Sequence, residues 1–191
     1  MQRKIAIVLS LWAALGSSLG AVSPFSKTSG DRLMHKASNI ILPARVAMFQ
    51  RESTKIYGSG GRDAGAEYDL DALIRGDVYI YPVGTYGKDF NAEVRVQQDA
   101  IGKFNKNVKL ISQTNFQLRQ GGKPITGLLV EYQLTRPLFN SPSRRCESQF
   151  YLFQTGTWFV AYRFSYPVEK SDVAKQHISN FLNRWRWREP S

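Results

Sequence analysis

The sequence predicts an α+β chain in which helices flank a twisted antiparallel sheet, arranged as an α/β/α sandwich. Three observations carry this. Four strand-like segments fall into two tandem hairpins, over 108–135 and 147–166. Apolar residues recur at helical spacing over 89–105 and again over 171–185. These helical stretches bracket the hairpins instead of alternating with single strands, which favours α+β over a parallel α/β order.

From Ile40 the chain turns apolar. Val46-Ala47-Met48-Phe49 and Lys55-Ile56-Tyr57 read as strands, and the glycine-rich 58–65 as a turn or flexible loop. Ala66–Leu70 is a short strand. Asp77–Val83, rich in β-branched and aromatic residues and closed by proline, is another. Asp89 is placed to cap a helix running to about Asn105, with Glu93 in its first turns and Phe90, Val94, Ile101 and Phe104 on one face. Leu128, Val130, Tyr132 and Leu134 alternate as a half-buried strand requires, opposite 108–118 across a Gly121-Gly122 turn. The second hairpin turns at Thr155-Gly156. Phe150, Leu152, Phe159, Ala161 and Arg163 are not expected to lie inside together, while Phe153 and Trp158 imply that both sheet faces are partly covered. After Pro167, Ser171 is expected to cap a helix with the stripe Val173, Ile178, Phe181, Leu182 and Trp185.

This pattern resembles the PsbP-like fold over about residues 40–187. The features are Leu42-Pro43 with Phe49-Gln50-Arg51, then Tyr57 followed by Gly65-Ala66-Glu67-Tyr68. Val78–Pro82 before a helix, the paired hairpins and the helix after Tyr166-Pro167 complete it. The resemblance implies an accessory or binding protein, carries over no catalytic residues, and by itself settles no function.

The amino terminus predicts the address. Arg3-Lys4, the apolar run Ile5–Leu15 broken only by Ser10, and the small-residue stretch Gly16–Ala21 have the layout of a secretory signal peptide. The apolar run is shorter than the roughly 20 residues that a membrane span needs. The expected division is a signal peptide over 1–21, a polar flexible leader over 22–39 and a single domain over 40–191. The mature chain is then periplasmic or secreted, without a transmembrane segment. Removing 1–21 takes away two of the 26 basic groups and none of the 15 acidic ones, leaving a net charge of +9. Such a charge suits an anionic surface or an acidic envelope protein. The basic residues are scattered, and nucleic acid is the less favoured partner.

Chemistry is sparse. Cys146 is the single cysteine, so no intramolecular disulfide forms. It reads best as a small buried hydrophobe, with a thiol nucleophile paired to His177 as the lesser alternative. The two histidines, His35 and His177, lack metal-ligand spacing, and neither a metal nor a cofactor is expected. Ser59 lies in a glycine loop without a nucleophile elbow around it. The same loop with Arg62 has phosphate-cradle residues but no helix after it. Glu67, Asp69 and Asp71 alternate as one carboxylate face, more in keeping with a solvated strand than a cation site. Arg75-Gly76-Asp77 reads as a turn before a strand.

The carboxy terminus is the segment of uncommon composition, Arg184-Trp185-Arg186-Trp187-Arg188. Arg186, Trp187 and Arg188 are the candidate contacts with a partner, and Trp185 is the anchor. Interleaved indoles and guanidiniums suit an anionic interface. The competing reading buries the tryptophan stripe and leaves the arginines as a solvated last turn. The resulting expectation is an exported, non-enzymatic binding or accessory protein of the bacterial envelope. The alternatives are an inhibitor or immunity-type partner, or a hydrolase.

Overall fold

The computed structural model describes residues 23–58 and 60–188; the signal-peptide reading and Ser59 lie outside them. The two hairpins form half of the main sheet. β8 (Lys106–Gln120) and β9 (Lys123–Arg136) turn through Gly121 and Gly122, both at positive φ, as a two-residue hairpin turn of this kind requires. β10 (Arg144–Thr155) and β11 (Trp158–Pro167) follow after the loop 137–143. With β4 (Arg45–Val46), β5 (Phe49–Ile56), β6 (Ala64–Leu70) and β7 (Ile74–Pro82) they form an eight-stranded sheet ordered β4-β5-β6-β7-β11-β10-β9-β8. Every pairing in it is antiparallel. Arg75, Gly76 and Asp77 lie inside β7 rather than in a turn. Gly76 sits against the Phe164 ring, 2.8 Å from where a Cβ would stand, so the tripeptide is built into the sheet.

Both faces of this sheet are buried. On one side Leu128, Val130, Tyr132 and Leu134 of β9 join Phe150, Leu152, Phe159 and Ala161 beneath α1 (Phe90–Phe104). On the other, Tyr151, Phe153, Val160, Tyr162 and Phe164 pack under α2 (Ser171–Arg184). Arg163 shares the α1-side register and is 2% exposed. The expectation that these five hairpin residues do not all lie inside is thus overturned. Strands covered on two sides keep no solvent face to receive the surplus apolar residues.

The polar stretch 22–39 is not a free leader. β1 (Phe25–Lys27), β2 (Leu33–His35) and β3 (Ile40–Leu42) form a three-stranded antiparallel sheet. Phe25, Ile40 and Leu42 join the α2-side core. His35 is buried, with Nδ1 2.8 Å from Ser38 Oγ, Nε2 2.9 Å from the Gly61 carbonyl, and its ring edge-on to Trp158. The domain therefore reaches back to at least Phe25.

Asp89 caps α1 as expected, its carboxylate accepting the Ala92 N–H at 2.8 Å. Ser171 does not cap α2. A 3-10 turn over Val168–Lys170 leads into the helix, and the Ser171 hydroxyl donates to Glu147 at 2.7 Å. Val173 is exposed; Ala174 takes its place in the buried stripe with Ile178, Phe181 and Leu182. Among the described residues no helix is long and apolar enough to cross a membrane.

Candidate functional site

α2 ends at Arg184, and the next residues run extended across the end of the sheet. Trp185 donates its indole N–H to the Ile41 carbonyl at 3.0 Å, and Ile41 N–H donates to the Trp187 carbonyl at 2.8 Å. Trp187 donates its indole N–H to the Tyr162 hydroxyl at 2.5 Å. Gln120, at the tip of β8, clasps both tryptophans. Its amide nitrogen donates to the Trp185 carbonyl at 3.0 Å and its oxygen accepts the Trp187 N–H at 2.9 Å. Trp185 is 1% and Trp187 3% exposed.

Trp187 is therefore no contact residue, a correction to the sequence reading. A large ring with one N–H is best placed where a core partner accepts that N–H, and Tyr162 does so. The arginines alternate outward. Arg186 and Arg188 are exposed, and Arg186 Nη1 donates to the Asn183 carbonyl at 2.7 Å. Lys123 pairs with Gln120 across the hairpin turn, on the same side of the sheet, and is exposed. Between Asp172 and Glu189 the chain carries no acid. Lys123, Arg184, Arg186 and Arg188 thus surround the Gln120 clasp as a cationic patch on a fixed base.

A second polar group lies on the α1 side, on the strands that α1 leaves uncovered. Lys55 Nζ lies 2.9 Å from Glu67 and 3.5 Å from Asp77. Arg75 lies 3.1 Å from Glu67 and 3.6 Å from Asp69. Arg163 Nε donates to Ser148 Oγ at 3.2 Å, that hydroxyl lies 3.2 Å from Ser165 Oγ, and Arg136 Nη1 donates to the same Ser165 at 3.2 Å. Burial, reinforced by Arg136, pulls the Arg163 guanidinium down to about 10. The sequence did signal this group: Arg163 continues the Phe159, Ala161 register into the core.

The remaining candidates fall apart in space. Glu67 and Asp69 are held by Lys55 and Arg75, whereas Asp71 lies in the β6–β7 turn at φ 44°. Asp63, beside its Tyr86 hydroxyl donor, is pushed up to about 6, chiefly by burial. His177 is on α2, while Cys146 belongs to the core beneath α1, so the sheet separates them. Burial raises the Cys146 thiol above its ordinary value, and its sulfur faces the Arg136 and Arg144 carbonyls. We expect Cys146 to stay unalkylated by iodoacetamide at pH 7.5 in the folded protein and to react fully in guanidinium. Rapid native alkylation, read by mass spectrometry, overturns that placement.

No family model matches the chain, and no curated protein matches it. Among solved structures it is similar to cyanobacterial PsbP from Synechocystis sp. PCC 6803, at 11% identity and a TM-score of 0.46, over 91% of this chain and 98% of that one. It is also similar to a protein of unknown function from Pseudomonas aeruginosa, at 14% identity and a TM-score of 0.42, over 81% of this chain and 92% of that one. The first is a PsbP, the family whose fold the sequence pattern resembles. The architecture given above rests on the chain's own strand order.

Proposed function

We propose that the chain is an exported, non-enzymatic accessory or binding protein of the bacterial envelope, and that it docks an anionic surface through Lys123, Arg184, Arg186 and Arg188. The observation that carries this is the Gln120 clasp, which joins the hairpin tip to the chain end and holds four cations on one base. The basic, apolar and small segments of residues 1–21 support export. The helices on opposite faces of the sheet make the scaffold an α/β/α sandwich. Trp185 and Trp187 contribute rigidity and the arginines contribute charge.

The test is sedimentation with vesicles of anionic and of zwitterionic lipid. Retention on the anionic vesicles should fall steeply between low and physiological salt, because exposed charges are screened. Arg186→Ala with Arg188→Ala removes about 2 kcal/mol, roughly thirtyfold in partition, at about 1 kcal/mol per basic residue near such a surface. Equal retention by the double variant, or indifference to lipid charge, rejects this reading.

A further inference from the structure

The second polar group has a feature that pairing within the protein leaves unresolved. Arg163 is 2% exposed, and its Nη2 has no hydrogen-bond partner among the described residues. Tyr79, 4% exposed on the neighbouring strand, has an unpartnered hydroxyl on the same face. Asp77 is directly opposite Arg163 in the β7–β11 register, yet its carboxylate is taken by Lys55 at 3.5 Å. Glu67 and Asp69 are likewise engaged by Lys55 and Arg75. Four cationic groups, Lys55, Arg75, Arg136 and Arg163, thus share this face with three carboxylates. The surplus falls on Arg136 and Arg163, which meet hydroxyls only: Ser165 for Arg136 and Ser148 for Arg163.

A water molecule satisfies an orphaned N–H, but it does not offset a charge removed from solvent. An ion that is buried without a countercharge costs several kcal/mol even after relaxation. The missing complement therefore carries one negative charge and accepts hydrogen bonds. The electrostatics agree: burial raises the Tyr79 phenol well above its ordinary value, and both Arg163 and Arg136 act on it in the opposite sense.

We infer that Arg163, Arg136 and the Tyr79 hydroxyl hold a small oxygen-bearing monoanion, a carboxylate or inorganic phosphate, on the α1 side of the sheet. Guanidinium N–H groups and a phenol hydroxyl are the donors that such an anion takes, and charge-assisted bonds of this kind are the strong ones. Leu138, buried in the α1-side core, and Phe139, with the Arg75 guanidinium 4.7 Å above its ring, close this end of the face. The site is separate from the Lys123–Arg188 patch and does not depend on it.

The experiment is thermal denaturation of the mature chain with acetate and, separately, inorganic phosphate, for wild type and Tyr79→Phe. Tyr79→Phe removes a hydroxyl that bonds to nothing in the protein, so without anion its Tm stays at the wild-type value. The wild-type Tm should rise saturably with one of the two anions, and which one does so identifies the ligand chemistry. Tyr79→Phe should weaken the apparent Kd about tenfold, and Arg136→Met should do the same. The Arg186→Ala, Arg188→Ala variant should respond as wild type does, which separates this site from the docking patch. An equal rise in wild type and Tyr79→Phe means a general salt effect and overturns the inference. Absence of any saturable response means that water alone fills the space and overturns it as well.

Discussion

Replacing Trp185 by alanine lowers the stability of this protein by about 3–5 kcal/mol, the usual cost of emptying a fully buried indole site. For a domain of this size the corresponding fall in Tm is about 10 °C or more. The size follows from what the ring does. It packs against Tyr68, Tyr162 and Phe181 with ring centroids 5.1–5.5 Å apart. It also supplies the N–H for the Ile41 carbonyl. Alanine leaves a cavity among aromatic rings that cannot collapse together, and a buried carbonyl without its donor. Arg186→Ala, one residue away, should change stability by no more than about 0.5 kcal/mol, as an exposed substitution does. A Trp185→Ala protein with wild-type Tm is incompatible with the anchor role.

The second large effect belongs to Glu93. Its side chain is wholly buried between α1 and the sheet. One carboxylate oxygen accepts from the Tyr81 hydroxyl at 2.9 Å and from the Gln97 amide at 2.7 Å, and the other accepts the Gly87 N–H at 2.8 Å. Gly87 itself lies against the helix backbone at Ala92 and Glu93, with no room for a Cβ. Glu93→Ala deprives three buried donors at once and is expected to cost about 3–5 kcal/mol. Urea denaturation should show a lower midpoint with an unchanged slope. Glu93→Gln keeps an acceptor oxygen and should fall between alanine and wild type. A loss under about 1 kcal/mol for Glu93→Ala contradicts the network as the tie that holds α1 to the sheet.

The comparison of sequence with structure divides along physical lines. The β8–β9 hairpin, the capped helix from Asp89 and the buried stripe of α2 were legible, because each is set by spacing within one short segment. The sheet formed by β1–β3 was not. Its strands are three residues long, and Phe25, His35 and Ile40 are buried by docking onto rings far along the chain. Arg163 was misplaced because alternation assumes one wet face, and here both faces are covered. Glu93 read as an acid in a first turn, where dipole and solvent suffice to explain it; only the fold brings Tyr81, Gln97 and Gly87 to it. The carboxy-terminal tryptophans read equally well as contacts or as core. What decided was Gln120, a glutamine in an adjacent hairpin with nothing local to mark it.

The bonds between Ile41 and the two tryptophans join positions 144 residues apart along the chain for the indole bond alone. A ribosome adds those tryptophans almost last, so a nascent polypeptide carries every strand of both sheets before it owns the rings that seal them. Folding is consequently completed after synthesis rather than during it. Premature termination ahead of Trp185 leaves a protein that lacks its closure, not merely its tail.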